Sequence, residues 1–117
     1  MVFPEKLALD VPRALAVRAL LPVIDNAFNV SEHVRVHALH RERQIDVLVS
    51  DAGPGIPMES VERVFDPGWS GNGGSGLGLA LARRVARSGG GDVILVEAHN
   101  KDGGATFAIS FPGGMAW

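Results

Sequence analysis

Two glycine clusters, about twenty residues apart, constrain this chain more than any other feature of its sequence. The first is Asp51-Ala52-Gly53-Pro54-Gly55-Ile56. The second is Gly74-Ser75-Gly76-Leu77-Gly78-Leu79, and a helical pattern begins inside it at Leu77. A glycine-rich turn lets backbone approach an anion, because no Cβ intervenes and positive φ costs little. A helix that starts directly behind such a turn aims its unpaired N–H groups and positive dipole end at the same place. Asp51, at the end of an apolar strand, is a poor neighbour for phosphate but a good acceptor for an exocyclic amine. A nucleotide, base at one cluster and phosphates at the other, is the simplest reading.

Composition agrees with that reading. A chain of 117 residues, 46% of them hydrophobic, is the size of one domain with one core. The net charge is −2, with both signs mixed along the chain, so no basic stripe points to nucleic acid. Without cysteine, disulfides, thiolate metal sites and thiol catalysis are excluded. No apolar run approaches the roughly 18 residues that span a bilayer. The first dozen residues, with Pro4, Glu5, Lys6, Asp10 and Pro12, do not read as a signal peptide. The expectation is a soluble, cytoplasmic domain, or the cytoplasmic part of a membrane sensor, with no membrane contact of its own.

Periodicity predicts the elements. Lys6 to Leu9 reads as an edge strand. Pro12 to about Asn29 reads as a helix with Asp10 as its N-cap, and with an apolar stripe that takes in Ala19, Val23 and Ala27 and also Val17, Leu21 and Phe28. Pro22 lies inside it, at a cost of about 3 kcal/mol in an ordinary helix. Val34, Val36, Ala38 and then Ile45, Val47, Val49 alternate as a hairpin around His40 to Gln44. Met58 to Phe65 is a short helix at best, and Pro67 to Gly74 a mobile loop. Leu77 to about Ser88 is a second helix, with Arg83, Arg84 and Arg87 read as a solvated face. Val93 to Val96 and Ala105, Phe107, Ile109, Phe111 are two further strands. This order reads as an α/β (α+β) two-layer sandwich: a mixed, mainly antiparallel sheet of about five strands, with about three helices on one face and a short lid.

These residues resemble the ATP-binding catalytic domain of two-component sensor histidine kinases, within the superfamily shared with gyrase, Hsp90 and MutL. The resemblance covers nearly the whole chain, read as a single domain over 1–117. Leu21-Pro22-Val23-Ile24-Asp25-Asn26-Ala27 is similar to the asparagine box, Asp51 to Pro57 to the first glycine box, and Val64-Phe65-Asp66-Pro67 to the phenylalanine box. Gly74 to Ala80 is similar to the second glycine box, and Gly103-Gly104-Ala105-Thr106-Phe107 with Phe111-Pro112 to the closing one. The resemblance implies that Asn26 is the catalytic metal ligand, holding Mg²⁺ against the phosphates of ATP. It implies that Asp51 accepts the adenine amine with support from Thr106, and that Gly53, Gly55 and Ile56 shape the turn over the base. Gly74, Ser75, Gly76, Leu77 and Gly78 would wrap the phosphates, and Phe65 would anchor the lid.

Three departures from the family pattern carry consequences. Where sensor kinases place a second asparagine, and ATP-hydrolysing relatives a glutamate base, stands Pro22, which neither ligates nor takes a proton. The position three after Asn26, often basic, is Asn29. The lid, from about Met58 to Gly73, is short, which implies modest affinity and fast exchange. None of the four histidines, His33, His37, His40 and His99, has the context of a phosphoacceptor, and all four read as surface or turn. His33 and His37 lie about 13 Å apart at the usual strand rise, too far to share a metal. The resemblance therefore implies a histidine on a separate dimerisation and phosphoacceptor domain, upstream or on a second chain, with a response regulator served indirectly. The alternative is a nucleotide-binding or partner-docking module of the same fold with impaired catalysis.

Overall fold

The computed structural model describes residues 7–69 and 76–115. Its sheet has five strands: β1 (Leu7–Leu9), β2 (Val34–Arg41), β3 (Gln44–Asp51), β4 (Asp92–Glu97) and β5 (Thr106–Met115). The long strand β5 organises them. β3 lies along one side of it, with β2 beyond, while β4 and β1 share the other side. β4 pairs with residues 106–110 and β1 with residues 113–115. Every pairing is antiparallel.

Alternation sorts each strand between two faces. Val47 and Val49 of β3, Val93 of β4 and Phe107, Ile109 and Phe111 of β5 join one buried core. Full burial of a side chain such as Ile109 or Phe111 contributes about 1.5–3 kcal/mol. The opposite face carries Arg35, His37, Ser50 and Thr106 and has a polar groove. The β2–β3 turn is tighter than expected, because the strands run to Arg41 and from Gln44, and Glu42 takes a left-handed φ of 57° to close it.

Helices α1 (Arg13–Val30) and α2 (Gly78–Ser88) cover the apolar face, and Met58–Arg63 is a single 3-10 helix. α1 buries Ala16, Ala19, Val23 and Ala27, mostly small side chains that let it lie close to the sheet. The wider stripe expected from the sequence is not all buried: Val17, Leu21 and Phe28 are exposed, because a helix on a flat sheet covers only one side of itself. Asp10 does not cap α1. Pro12 holds the N-cap position without a side-chain bond, and the Asp10 N–H donates instead to the Pro112 carbonyl at 2.7 Å. α1 runs through Pro22 without interruption. The carbonyl deprived of a donor belongs to Arg18, which is exposed and within reach of water.

Candidate functional site

Asp51 ends β3 and is 5% exposed, which makes it one of few buried charged residues among those described. Its Oδ1 accepts the backbone N–H of Gly53 at 2.9 Å and of Ala105 at 3.2 Å. Two backbone donors orient the carboxylate, and among the described residues no cation pairs with it. Ala105 is held in return: the Asp51 N–H donates to its carbonyl at 3.0 Å. Gly104 makes this approach feasible, since a Cβ there would collide with the Asp51 carbonyl and Oδ1.

A cavity of about 380 Å³ opens over this carboxylate. Asn26 from α1 and Asp51 from β3 both line it, although they come from separate elements of the chain. Val30, Pro54, Ile56 and Pro57 supply apolar wall, which suits the faces of a planar base. Gly55 turns the loop at a φ of 78°, pressed against His99 and the carbonyls of Ala98 and Gly103, where a side chain has neither room nor favourable backbone. The Ile56 N–H ties the loop to the Ala98 carbonyl at 2.9 Å.

Asn26 is half-buried on the helix face that also carries Pro22, one turn earlier. Pro22 lies beside Gly78, at the first turn of α2, where a side chain in place of the glycine would bring its Cβ within 3.6 Å of the Pro22 Cβ. The crossing of the two helices therefore sets the start of α2 beside the Asn26 face. The start of α2 has no side-chain cap hydrogen bond and no acidic residue in its first turn, so that turn places no counter-charge of its own at the positive end of the helix dipole. Phe65 stands behind, edge-on to Phe107 at 6.1 Å between centroids, with the Arg83 guanidinium 4.1 Å over its ring. Arg83 and Arg87 also bond Asp92 at 3.1 and 3.0 Å, so two of the three arginines of α2 are engaged rather than merely solvated.

Of the residues the sequence singled out, the cavity wall gathers Asn26, Asp51, Gly55 and Ile56. Gly53 contributes through its N–H to Asp51. Gly76, Leu77, Gly78 and Phe65 lie outside the wall, toward α2, and the Gly76 carbonyl accepts the Gly68 N–H at 2.9 Å. Gly74 and Ser75 fall outside the described residues. Thr106 does not line the cavity itself: it turns to the opposite face, sharing a 2.8 Å hydrogen bond with Ser50. Alternation along β5 forces this, because the face that puts Ala105 and Phe107 inward puts Thr106 outward. That signal was in the sequence. His99 and Trp69 also line the cavity. Neither stood out in the sequence, where His99 read as turn surface and Trp69 lay in a stretch without periodicity.

The family model described as histidine kinase-, DNA gyrase B- and HSP90-like ATPase matches residues 11–114. The chain belongs to that family. Among relatives of this ATPase domain, the sensor-like histidine kinase SenX3 of Mycobacterium tuberculosis is 33% identical over 93% of the chain, which spans 28% of SenX3. The chain thus covers well under a third of that relative's length. The solved structure of the mycobacterial sensor histidine kinase MprB superposes with a TM-score of 0.78 at 29% identity, over 93% of this chain and 77% of that one. Full-length ShkA in complex with AMPPNP gives 0.73 at 28% identity, over 87% of this chain and 22% of that one. The domain is of the ATP-binding catalytic type found in histidine kinases, and its sandwich is that of the family. Among the described residues no helix is long and apolar enough to cross a membrane.

Proposed function

We propose that this domain binds Mg-ATP in the cavity over Asp51 and donates the γ-phosphoryl group to a histidine on a separate dimerisation and phosphoacceptor domain, in two-component signalling. One observation carries the reading: a buried carboxylate, oriented by two backbone N–H groups, at the base of an apolar cavity that Asn26 also lines. Asp51 accepts the adenine amine, Ile56 and Val30 flank the ring, and Gly53 and Gly55 shape the loop. Gly76, Leu77, Gly78 and the start of α2 receive the phosphates together with Gly74 and Ser75. Phe65 anchors the lid to the core. That ShkA has been seen with AMPPNP supports a nucleotide in the same fold.

The metal donor set fits Mg²⁺. No group of three or more His, Cys, Asp or Glu able to hold a metal occurs among the described residues. Asn26 offers one hard oxygen at the cavity wall, which suits a cation that keeps most of its shell as water and phosphate oxygen. Held there, Mg²⁺ would supply charge neutralisation on the phosphates. Phosphoryl transfer demands little else of the protein than positioning and electrostatics. The acceptor imidazole nitrogen forms its bond to the γ-phosphorus as the bond to the β–γ bridging oxygen breaks, and ADP leaves. The proton of the acceptor histidine passes to a group on its own domain. Water is a poor alternative acceptor here, since Pro22 offers no base on the Asn26 face.

Pro22 also favours a second reading, nucleotide binding without transfer, because it stands beside the start of α2 and offers no ligand. Calorimetric titration of ATP, with and without Mg²⁺, tests binding on the wild type and on Asp51→Asn. Transfer of label from γ-labelled ATP to a supplied phosphoacceptor domain then separates the two readings. Saturable binding lost in Asp51→Asn, followed by labelled histidine, is the expected result. Binding without label on any such domain supports the second reading, and absence of binding overturns both and favours a partner-docking module of the same fold.

A further inference from the structure

Behind Asp51, on the polar face of the sheet, one side chain ties the whole junction together. The Asn100 amide nitrogen donates to the Asp51 carbonyl at 3.0 Å, to Thr106 Oγ1 at 3.2 Å and to the Ala105 carbonyl at 3.3 Å. Its Oδ1 accepts the Asp102 N–H at 2.9 Å. The orientation of the amide is forced, since the reverse would set its oxygen against two carbonyls. The backbone of Asn100 is fixed as well: its N–H donates to the Gly104 carbonyl at 2.6 Å, and its own carbonyl accepts the Gly103 N–H at 2.9 Å. The other tie on this turn, the Arg35–Asp102 ion pair at 2.7 Å, is solvent-exposed and holds little.

We propose that Asn100 is a positioning residue that sets the Asp51 carboxylate for a 6-aminopurine and so determines selectivity for an amino over an oxo group at that ring position. The proposal rests on the nucleotide reading above. Asn100 grips the carbonyls of Asp51 and Ala105 together, and these are the ends of the two strands that must stay close for the Ala105 N–H to reach Asp51 Oδ1. That bond, at 3.2 Å, is at the long end of the N–H···O range, so a small withdrawal of Ala105 breaks it. The carboxylate then keeps only the Gly53 donor and loses its fixed aim. A 6-amino group donates to a carboxylate aimed at it, whereas a 6-oxo group presents an acceptor and gains nothing from the aim. Thr106 takes part from the far face, accepting from Asn100 and sharing its hydroxyl with Ser50.

The test compares ATP with inosine triphosphate, which differs in carrying oxygen for the amine. Dissociation constants for both are measured by calorimetry on the wild type, Asn100→Ala and Asn100→Asp, with melting curves of the nucleotide-free proteins alongside. The expected result is an ATP affinity about tenfold weaker in the variants, with inosine triphosphate changed less than twofold, so that the preference collapses. Equal weakening of both nucleotides, or an unchanged preference, overturns the proposal and leaves the nucleotide site standing. A wild type that binds neither nucleotide overturns the site and the proposal together. Should Asn100→Ala not fold, Asn100→Ser, which retains one donor in the turn, serves for the same comparison.

Discussion

The Ala105 N–H reaches Asp51 Oδ1 at 3.2 Å across a junction in which Gly104 has no room for a side chain. The Asp51 carboxylate is thus aimed by main chain at the entry to β5, and the glycine just before is a steric requirement.

Gly104→Ala therefore forces the start of β5 away from Asp51. Overpacking of this kind costs roughly 2–3 kcal/mol, measurable by denaturant unfolding. ATP affinity, by calorimetry, falls with it. Gly68→Ala makes a useful contrast, since among the described residues nothing lies within 4 Å of a side chain there, while its backbone φ of 92° resists the change.

Asn26→Ala removes the proposed metal ligand from a half-buried helix position that alanine suits well. Melting of the nucleotide-free protein stays within about 0.5 kcal/mol of wild type. ATP without Mg²⁺ binds as before, while the gain in affinity on adding Mg²⁺ disappears. Persistence of that gain in the variant would place the metal ligand elsewhere.

Phe65→Ala deletes a half-buried ring that meets Phe107 edge-on and lies under Arg83. The loss should be about 2–3 kcal/mol, below the value for a fully buried ring. Arg83→Met removes the cation over the ring and one bond to Asp92 for about 1 kcal/mol. A double-mutant cycle on thermal unfolding gives the coupling between the two. Independent, additive losses would rule out the stacked arrangement.

Asp46 ties the polar face together and gives stability a pH signature. Its burial pushes the carboxyl pKa up, but hydrogen bonds from Ser110, Gln44 and Arg41 outweigh that and hold it below its ordinary value of 3.8. A lowered folded value means that its contribution is complete above pH 3.8 and is lost as pH falls through the folded pKa. Asp92, desolvated but bonded by Arg87, the Val93 N–H and Arg83, shifts the same way. Melts between pH 7 and pH 2.5 should show a steep acid loss in wild type. Asp46→Asn should be less stable at pH 7 and have a shallower acid limb; an unchanged limb would contradict the assignment.

Much of this was legible in the residues. The helix over Arg13–Val30, both hairpins, the short turn at Met58–Arg63 and the inward face of β5 all follow from periods of 3.6 and 2, which depend on local geometry alone. Asp51, Gly55 and Ile56 followed from one contiguous motif, and Asn26 from another. The extent of burial on α1 was not legible, because amphipathicity names a face but not how much of it a neighbour covers. Asp10 looked like a cap in isolation, and only pairing with Pro112 shows where its backbone goes. The outward side of Thr106 was legible too, since the alternation that places Phe107 inward, carried back one residue, places Thr106 on the opposite face.

The order of residues, then, was enough to specify the elements, their facing sides and the family, since each is encoded in short spans of chain. Which side chains meet was settled only when the strands closed. Asn100 and Asp51 are 49 positions apart, and His99 joins Asn26 in one cavity across most of the domain. Contacts of that kind depend on the register of β3, β4 and β5 and on the crossing of α1 over α2. No local pattern records them, because they arise from the packing of whole elements.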